Sequence, residues 1–253
     1  DLEKITREVI DSAPNLKIIS RRGVGTDSVD VAYAEKKNIA VARTLGVVEP
    51  PVAELVMAYI LEFSRRISVL NQSMHAGRWE RCQCHSVNGK TLGIVGMGKI
   101  AYEVARRAHS FGMHILYTDT VRNERAEAEF GAQQKPVCEL LEESDFVTLH
   151  LPLTENTANY MDYGKLCKMK QSAYLINAAR GGVVNCADLK RALCENKLSG
   201  AAIDVFEKEP ETNSSFRGME NVILTPHVGT FTEEIFVKMD VAAAENIISF
   251  FQK

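Results

Sequence analysis

The sequence predicts an α/β protein built around a doubly wound parallel sheet. Short apolar segments alternate with helix-like stretches along most of the 253 residues, which is typical of repeated βα units. A glycine-rich turn, Gly96–Ala101, follows one of the apolar segments in the middle of the chain. From residue 91 to residue 224 the apolar segments are separated by helical stretches, and crossover helices between parallel strands produce a doubly wound sheet.

The predicted strands are short, and the rest of the chain supplies helices and two further strands. Upstream, Leu16–Ile19 and Ile39–Val41 are expected to be strands on either side of a helix, Val29–Glu35. Apolar residues at helical spacing, after prolines that suit a first turn, predict one long helix over residues 50–76. A last amphipathic helix is predicted over Thr232–Phe251. The six strands expected in the main sheet are Thr91–Val95, Ile115–Tyr117, Phe146–His150, Ala173–Ile176, Ala201–Asp204 and Val222–Leu224.

Composition and charge exclude several classes of function. The 30 lysines and arginines against 33 aspartates and glutamates give a formal net charge of −3, whereas binding to nucleic-acid phosphates needs a basic surface. No apolar run approaches the ~20 residues of a membrane-spanning helix. The first residues contain no apolar segment typical of a secretory signal. We therefore expect a cytoplasmic globular protein that binds neither nucleic acid nor a membrane.

The cysteines favour free thiols over a disulfide framework. Six cysteines in 253 residues are sparse, as expected in a reducing compartment. The densest group, Cys82-Gln83-Cys84-His85, lies in a stretch over residues 78–89 that interrupts the periodic pattern. A zinc site needs about four ligands, and the sequence contains no second cysteine or histidine cluster of matching spacing. We expect a polar surface connection there and no metal site.

The glycine-rich turn has the pattern of a dinucleotide-binding site. Gly96-Met97-Gly98-Lys99-Ile100-Ala101 follows a predicted strand and opens a predicted helix over Ile100–His109. The first glycine permits the tight turn, the second lets the backbone approach a pyrophosphate, and the third small residue lets the helix pack against the strand. The helix N-terminus would face the phosphates. The turn alone is weak evidence, because any strand-to-helix turn can use glycine.

An acidic residue after the next strand strengthens this interpretation. Asp119 follows Gly96 by 23 residues, close to the ~20 expected for a carboxylate that binds the ribose hydroxyls. Such an acid repels a 2′-phosphate, so NAD is the expected cofactor. Arg122 lies just beyond and leaves NADP as the less favoured alternative. Asp119 alone is equally typical of a solvated turn, but with the strand, turn and helix it indicates dinucleotide binding.

Three later strands are followed by segments with charged or ionisable side chains. Ligands of open parallel sheets bind at the carboxyl ends of the strands, so these segments should bring a guanidinium, a carboxylate and an imidazole to one rim. Taken singly, the three side chains are also typical of a surface ion pair, a loop acid and a buried ring. The segments are Asn177–Gly182 with Arg180, Asp204–Pro210 with Glu209, and Thr225–Gly229 with His227.

These motifs, in this order and at this spacing, resemble the NAD-dependent D-isomer-specific 2-hydroxyacid dehydrogenases, and the phosphoglycerate dehydrogenases among them most. The resemblance covers nearly the whole chain, from Arg21–Asp27 to the Thr225–Gly229 segment. It implies a Rossmann-type NAD-binding domain inserted in a smaller, N-terminally incomplete, flavodoxin-like α/β substrate domain. The implied boundaries are 1–48 for the first part of the substrate domain, 49–228 for the NAD-binding domain, and 229–253 for a returning C-terminal helix.

The resemblance implies a catalytic set. Arg180 would bind the carboxylate of a 2-oxo or 2-hydroxy acid substrate, with its planar fork fixing the orientation. His227 would be the acid/base for a hydride transfer, and Glu209 would hold the imidazole. Glu207 is the main alternative for the acid. His150, which ends another predicted strand, is a candidate for the cofactor rim rather than for the base.

The resemblance also implies which residues surround the substrate and the cofactor. The N–H groups of Gly23, Val24 and Gly25 would bind the substrate carboxylate, because glycines permit close approach. Leu151 and Pro152 are also typical of ordinary loop packing. The residues implied for the cofactor are Gly96, Gly98, Lys99, Ile100, Asp119, Leu151, Pro152, Ala178, Arg180, Asp204, His227 and Gly229.

The resemblance implies an enzyme, and we expect it to form a homodimer through the 50–76 helix. Other interpretations of the sequence remain open. The family includes transcriptional corepressors, so an NAD-binding regulatory protein without turnover is the alternative. A short-chain dehydrogenase is excluded, because the only Tyr-x-x-x-Lys spacing, Tyr33 to Lys37, precedes the glycine-rich turn. The cations Arg21, Arg22 and Arg43 agree equally with a phosphorylated or dianionic substrate and with solvated surface charge.

Overall fold

The computed structural model describes residues 3–252. By its internal contacts the chain divides into two compact units, one within Asp1–Pro51 and Thr230–Lys253 and the other over Val52–Gly229. The boundaries expected from the sequence lie at 48/49 and 228/229, close to these. The helices and strands of each unit are numbered together in chain order.

The first unit contains a small parallel sheet. Strand β1, Ile18–Arg21, pairs with β2, Ala40–Arg43, and helix α2, Val31–Lys36, connects them. Helix α1, Arg7–Asp11, precedes the sheet and was not expected from the sequence. Its first turn is capped by the Thr6 hydroxyl, which accepts a hydrogen bond from Val9 N–H at 3.5 Å. The residues buried at the centre of this unit are Ile10, Ala34 and Ile39.

A seven-stranded parallel sheet forms the centre of the second unit. Its strand order is β5-β4-β3-β6-β7-β8-β9, with every neighbouring pair parallel. The direction of travel across the sheet reverses between β3 and β6, which is the switch point where open α/β sheets bind ligands. The strands are β3 Thr91–Val95, β4 His114–Thr118, β5 Gln133–Gln134, β6 Phe146–Leu149, β7 Tyr174–Asn177, β8 Gly200–Ile203 and β9 Val222–Leu224.

Helices cover both faces of this sheet. Alternate residues of a strand point to opposite faces, so Leu92 and Ile94 of β3 enter one core while Val95 enters the other. The remaining helices of the chain, in order, are α3 Glu49–Arg65, α4 Ile67–His75, α5 Lys99–Ser110, α6 Glu124–Phe130, α7 Val137–Glu143, α8 Tyr163–Leu166 and α9 Cys186–Cys194, with a 3₁₀ turn at Gly181–Val183. The last helix, α10 Glu233–Phe251, belongs to the first unit.

The doubly wound sheet is confirmed, and two details differ from the sequence-based expectation. The strand β5 was missed, because its two exposed glutamines show no apolar alternation. The single helix expected over 50–76 is wrong, since the helix breaks at Arg66, whose φ is +50°. The connecting loop donates hydrogen bonds to the last backbone carbonyls of α3 there. His85 N–H donates to Ser64 O at 2.9 Å, and the Cys84 thiol donates to Arg65 O at 3.2 Å.

Residues 78–87 form neither helix nor strand, as the interrupted pattern predicts. Between residues 3 and 252, no helix combines the length and the apolar character needed to cross a membrane.

Candidate active site

The glycine-rich turn joins β3 to α5 in a conformation that requires glycine at its first position, Gly96. Gly96 has a φ of +92°, and a Cβ there would lie 3.0 Å from the His150 carbonyl oxygen. Ala101 is fully buried, so a small third residue lets α5 pack close to β3. At Gly98, which caps α5, a Cβ would meet nothing within 4 Å. The first N–H groups of a helix have no partner within it, so this open helix start fits a pyrophosphate.

Asp119 lies directly beside this turn. It follows β4, and its Oδ2 accepts a hydrogen bond from Met97 N–H at 2.6 Å. Its Oδ1 accepts from Val121 N–H at 3.2 Å. The turn and the acid therefore form one local structure at the carboxyl ends of neighbouring strands, which is the arrangement that binds the adenosine ribose in doubly wound folds.

Arg122, which follows Asp119 by three residues, is hydrogen-bonded to Glu127. Its Nε and Nη2 donate to the Glu127 carboxylate at 2.6–3.0 Å. Tyr117 also donates to Glu127, at 2.7 Å. The neighbouring Asn123 ties this segment to the turn, because its Nδ2 donates to Met97 O at 3.2 Å. Sequence reasoning missed Asn123, although an asparagine just before a helix is a common cap.

The loop after β6 connects the two halves of the sheet edge. Leu151 contacts the glycine-rich turn, since its Cδ2 would lie 3.1 Å from a Cβ at Gly96. Leu153 contacts the loop after β7, because its Cδ2 would lie 3.1 Å from a Cβ at Gly182. Pro152 is exposed between them. The sequence pointed to Leu151 and Pro152 but not to Leu153.

Arg180 lies in the loop after β7. The Asn177 side chain fixes this loop by donating to Arg180 O at 3.0 Å and accepting from Ala179 N–H at 3.2 Å. Gly181 packs so closely on the next loop that a Cβ would overlap the Phe206 carbonyl group. This close approach brings the Arg180 loop against the segment that carries Glu209. Ala178, half-buried, packs on the core from the same loop.

Glu209 and His227 form a hydrogen-bonded pair at this site. His227 Nδ1 lies 2.7 Å from Glu209 Oε2, and Phe206 N–H donates to the other carboxylate oxygen at 2.9 Å. A carboxylate only accepts hydrogen bonds, so Nδ1 carries the hydrogen, and in the neutral ring Nε2 is left as an acceptor. The His227 side chain is 44% exposed and that of Glu209 is 17% exposed. The alternative acid, Glu207, is exposed and does not form this pair.

Asp204 and Gly229 are both buried and are hydrogen-bonded to each other. Asp204 is only 1% exposed, and its Oδ2 accepts a hydrogen bond from Gly229 N–H at 3.0 Å. A Cβ at Gly229 would lie 3.3 Å from the same oxygen and from Val52.

His150 differs from His227 in its surroundings. It follows β6, is half-buried, and its Nε2 lies 3.0 Å from Thr148 Oγ1. Burial lowers the pKa of His150 to about 4. The ring is therefore neutral near pH 7, which agrees with the expectation that it is not the acid/base.

The segment Gly23–Gly25 follows β1 in the first unit. Gly23 has a φ of +126°. Its N–H donates to Thr44 Oγ1 at 2.7 Å, and its carbonyl accepts from Thr44 N–H at 3.1 Å. Thr44 is 1% exposed. These bonds hold the glycine segment in a fixed conformation beside the end of β2.

The thiols of Cys82 and Cys84 lie 3.7 Å apart. Within residues 3–252, no group of three or more histidine, cysteine, aspartate or glutamate side chains is arranged to hold a metal ion.

Comparisons with known proteins agree with the geometry of the second unit. The model of the D-isomer specific 2-hydroxyacid dehydrogenase NAD-binding domain matches residues 57–229. Glyoxylate reductase from Korarchaeum cryptofilum is 41% identical over 255 residues, which cover 98% of this chain and 77% of that protein. Glyoxylate reductase from Thermococcus litoralis is 39% identical over 257 residues, which cover 98% of this chain and 78% of that protein.

Solved structures give the same result. A glyoxylate reductase from Paecilomyes thermophila superposes with a TM-score of 0.91 at 33% identity, over 99% of this chain and 77% of that one. A D-lactate dehydrogenase from Aquifex aeolicus, complexed with NAD and lactic acid, superposes with a TM-score of 0.90 at 31% identity, over 98% of this chain and 80% of that one.

The fold and the glycine-rich turn are those of a dinucleotide-binding protein of the doubly wound class, and the family model that matches describes the NAD-binding domain of a dehydrogenase. The chain belongs to the D-isomer-specific 2-hydroxyacid dehydrogenase family, which confirms the resemblance drawn from the motifs.

Proposed function

We propose that the chain reduces a small 2-oxo acid to the D-2-hydroxy acid with NADH, and catalyses the reverse oxidation. The observation that supports this most is the His227–Glu209 pair, with Nδ1 and Oε2 2.7 Å apart at the same sheet edge as the glycine-rich turn. The bound nicotinamide supplies the hydride to the carbonyl carbon. The chain's own residues have to bind the acid, orient its carbonyl and deliver one proton.

His227 is the proposed proton donor. For reduction, the ring takes up a proton from water on Nε2 and gives it to the carbonyl oxygen as the hydride would reach the carbonyl carbon, which leaves the ring neutral. In oxidation the neutral ring accepts the proton of the hydroxyl on Nε2 and later releases it to water. Glu209 keeps Nδ1 occupied, so Nε2 is the nitrogen that faces the substrate. Phe206 N–H, at 2.9 Å from Glu209 Oε1, keeps the carboxylate in place through this exchange.

Arg180 is the proposed substrate anchor. Its guanidinium is planar and always charged, so it can bind a carboxylate through two parallel hydrogen bonds and set the angle of the adjoining carbonyl. The close packing of Gly181 on the Phe206 backbone supports this role, because it holds the Arg180 loop beside the Glu209 segment. We also assign substrate N–H contacts to Gly23, Val24 and Gly25.

NAD is the proposed cofactor rather than NADP. Asp119 puts a carboxylate beside the glycine-rich turn, where it repels a 2′-phosphate. The guanidinium of Arg122, which would favour NADP, is bound to Glu127. The D-lactate dehydrogenase from Aquifex aeolicus is a complex with NAD, whereas an acyclic imino acid reductase of 28% identity is a complex with NADPH. The residues assigned to the cofactor are those at Gly96–Ile100, Asp119, Leu151, Pro152, Ala178, Arg180, Asp204, His227 and Gly229.

Glyoxylate is the substrate that we propose first. The relatives at 39–41% identity carry the name glyoxylate reductase. A phosphorylated substrate has less support, because Arg22 is already paired with Asp240 at 2.5 Å and lies over the Phe236 ring at 4.8 Å. Glyoxylate needs only one carboxylate anchor and leaves Arg22 and Arg43 outside the reaction.

The test is NADH oxidation by the purified protein with glyoxylate, hydroxypyruvate, pyruvate and 3-phosphohydroxypyruvate, repeated with NADPH. We expect the highest kcat/KM for glyoxylate with NADH. NADH binding without turnover of any of these acids would contradict the proposal and favour an NAD-binding regulatory protein.

We further propose a cytoplasmic homodimer that uses α3 and α4. Ile67, Val69 and Met74 of α4 are 61%, 46% and 51% exposed, and exposed apolar clusters of this kind mark interaction sites. Sedimentation analysis of the wild type and of Ile67→Asp tests this, since a monomeric wild type would contradict it.

A further inference from the structure

The loop that carries His227 is folded around one buried carboxylate. Asp204, at the end of β8, is 1% exposed. Its Oδ1 accepts hydrogen bonds from the Thr225 hydroxyl at 2.6 Å and from Val228 N–H at 2.9 Å, and its Oδ2 accepts from Gly229 N–H at 3.0 Å. The Asp204 carbonyl also accepts from His227 N–H, at 2.8 Å. Four of the five loop residues are therefore hydrogen-bonded to Asp204: Thr225, His227, Val228 and Gly229.

These bonds hold His227 in an unfavourable backbone conformation. Its φ is +53°, in the left-handed region that residues other than glycine rarely occupy. Such a conformation persists only where the surroundings enforce it, and it is often found at functional sites. In this conformation His227 Nδ1 meets Glu209, so the position of the imidazole depends on the bonds to Asp204.

Tyr59, a residue of α3, adds a further hydrogen bond to this group of contacts, at Thr225. The Tyr59 hydroxyl lies 2.5 Å from Thr225 Oγ1, and Tyr59 is 4% exposed. The Thr225 hydrogen is used toward Asp204, which only accepts, so Tyr59 must be the donor in its contact with Thr225. The bonds run in one direction, from Tyr59 through Thr225 to the Asp204 carboxylate. Burial raises the pKa of Tyr59, which keeps this proton in place.

We propose that Tyr59 is a positioning residue for the reaction, acting on His227 through Thr225 and Asp204. Its hydroxyl fixes the direction of the Thr225 O–H, and this bond fixes the start of the loop on Asp204. Hydrogen bonds in a chain that ends on a charge strengthen one another. The inference rests on the proposed role of His227 as acid/base, and it adds a helix residue whose hydroxyl bonds Thr225.

Removal of the Tyr59 hydroxyl should loosen the loop without removing any group of the active site. In Tyr59→Phe the part-buried Thr225 oxygen loses its donor, and an unsatisfied polar group costs stability where protein limits its contact with water. The Thr225 hydroxyl then rotates more freely and holds Asp204 less well. Proton delivery depends on small distances, so we expect kcat to fall about tenfold. Asp204, His227 and Gly229 are assigned to the nicotinamide end of the cofactor, whereas the contacts proposed for its adenosine and pyrophosphate, at Gly96–Ile100 and Asp119, lie in other loops. The Kd for NADH should therefore change less than about twofold.

The experiment compares four variants with the wild type. Tyr59→Phe and Thr225→Val break the chain, whereas Thr225→Ser keeps a hydroxyl at the same position and should recover most of kcat. Tyr163→Phe is the matched control, because it removes a hydroxyl that bonds a carboxylate, that of Glu195, at the α8–α9 corner. Steady-state kcat and KM, NADH Kd and the melting temperature are measured for each.

Hydrogen exchange provides a readout that does not need turnover. The amides of Val228 and Gly229 donate to Asp204, so a peptide over residues 225–229 should exchange faster in Tyr59→Phe and Thr225→Val. It should exchange at the wild-type rate in Thr225→Ser and Tyr163→Phe.

Three results would overturn the inference: exchange of residues 225–229 unchanged in Tyr59→Phe, an equal loss of kcat in Tyr163→Phe, or no recovery by Thr225→Ser. If the wild type turns over no 2-oxo acid, the proposed function fails on its own, while the exchange pattern still shows whether Tyr59 holds the loop. A fold defect common to all variants would appear as a lower melting temperature in Thr225→Ser as well, which also counts against the inference.

Discussion

The two halves of the sheet edge differ most clearly in their histidines. His150 follows β6, the strand next to β3 and its glycine-rich turn, and burial lowers its pKa to about 4. His227 follows β9 in the other half, is 44% exposed, and is paired with Glu209. A ring kept neutral by burial cannot deliver a proton near pH 7, whereas an exposed ring oriented by a carboxylate can exchange one with a ligand.

A position at the end of a strand therefore does not define the chemistry of a residue. The half around β3 and β4 offers backbone N–H groups, an open helix start and a carboxylate, which are binding groups. The half around β7, β8 and β9 offers Arg180, Glu209 and His227, which are groups for orientation and proton transfer. We therefore propose that one half binds the adenosine and pyrophosphate of the cofactor, whereas the other faces its nicotinamide and performs the chemistry, and single substitutions in each half test that division.

The largest effect is expected from His227→Ala. Loss of a positioned general acid/base typically costs 10²–10⁴-fold in rate, so we expect kcat to fall by roughly 10³ while the NADH Kd stays within about twofold. Stopped-flow turnover and fluorescence titration of NADH measure the two quantities. His150→Gln is the matched control and should keep most of the wild-type kcat; a similar loss in both variants would contradict the assignment.

Glu209→Gln should have the next largest effect. The amide can still lie near Nδ1, but it lacks the charge that favours a hydrogen on that nitrogen and stabilises the ring as it takes up a proton. We expect kcat to fall by about 10²-fold, with the NADH Kd unchanged. The exposed Glu207 provides the comparison, because Glu207→Gln should retain wild-type kcat. Equal losses in the two glutamine variants would leave the choice of acid unsupported.

Asp119→Ala should act on the other half of the edge. Its carboxylate accepts from Met97 N–H at 2.6 Å and is proposed to bind the ribose, so its loss should raise the NADH Kd about tenfold, as expected for a hydrogen bond to a charged group. The kcat at saturating NADH should change little, and the preference for NADH over NADPH should shrink. Titration of both cofactors is the measurement. An NADH Kd equal to that of the wild type would show that the ribose lies elsewhere.

The smallest effect is expected in the pH dependence of stability. A histidine in the unfolded chain ionises near pH 6.5, whereas folded His150 stays neutral down to about pH 4. Between these values the unfolded state binds more protons, so stability falls as the pH falls. Relative to His150→Gln, the wild type should lose about 2 kcal/mol across this interval. Urea unfolding of both proteins at pH 7 and pH 4 measures the difference; parallel curves would mean that the ring is not buried in this way.

Much of the second unit could be predicted from the sequence because its signals are local. The strands of a parallel sheet are buried on both faces and therefore show as apolar runs, and Gly96 and Asp119 occur at fixed distances from them. The pairing of Glu209 rather than Glu207 with His227 followed from the family resemblance, and the structure has the same pair at 2.7 Å.

Other features could not be predicted because they depend on contacts between distant segments. The break at Arg66 involves neither glycine nor proline, and loop residues 84 and 85 satisfy the end of α3. Strand β5 consists of two glutamines whose backbone pairs with β4. The hydrogen bonds from Tyr59 through Thr225 to Asp204 join distant segments, since Tyr59 and Thr225 are 166 positions apart, and no sequence pattern marks them.

The most direct test of the division between the two halves is a crystal structure of the protein with NAD and oxamate, an analogue of a 2-oxo acid that is not reduced. We predict the adenosine ribose at Asp119, the oxamate carboxylate on the Arg180 guanidinium, and the oxamate carbonyl oxygen within hydrogen-bond distance of His227 Nε2. An oxamate carbonyl directed away from His227, or a ribose bound away from Asp119, would contradict the account.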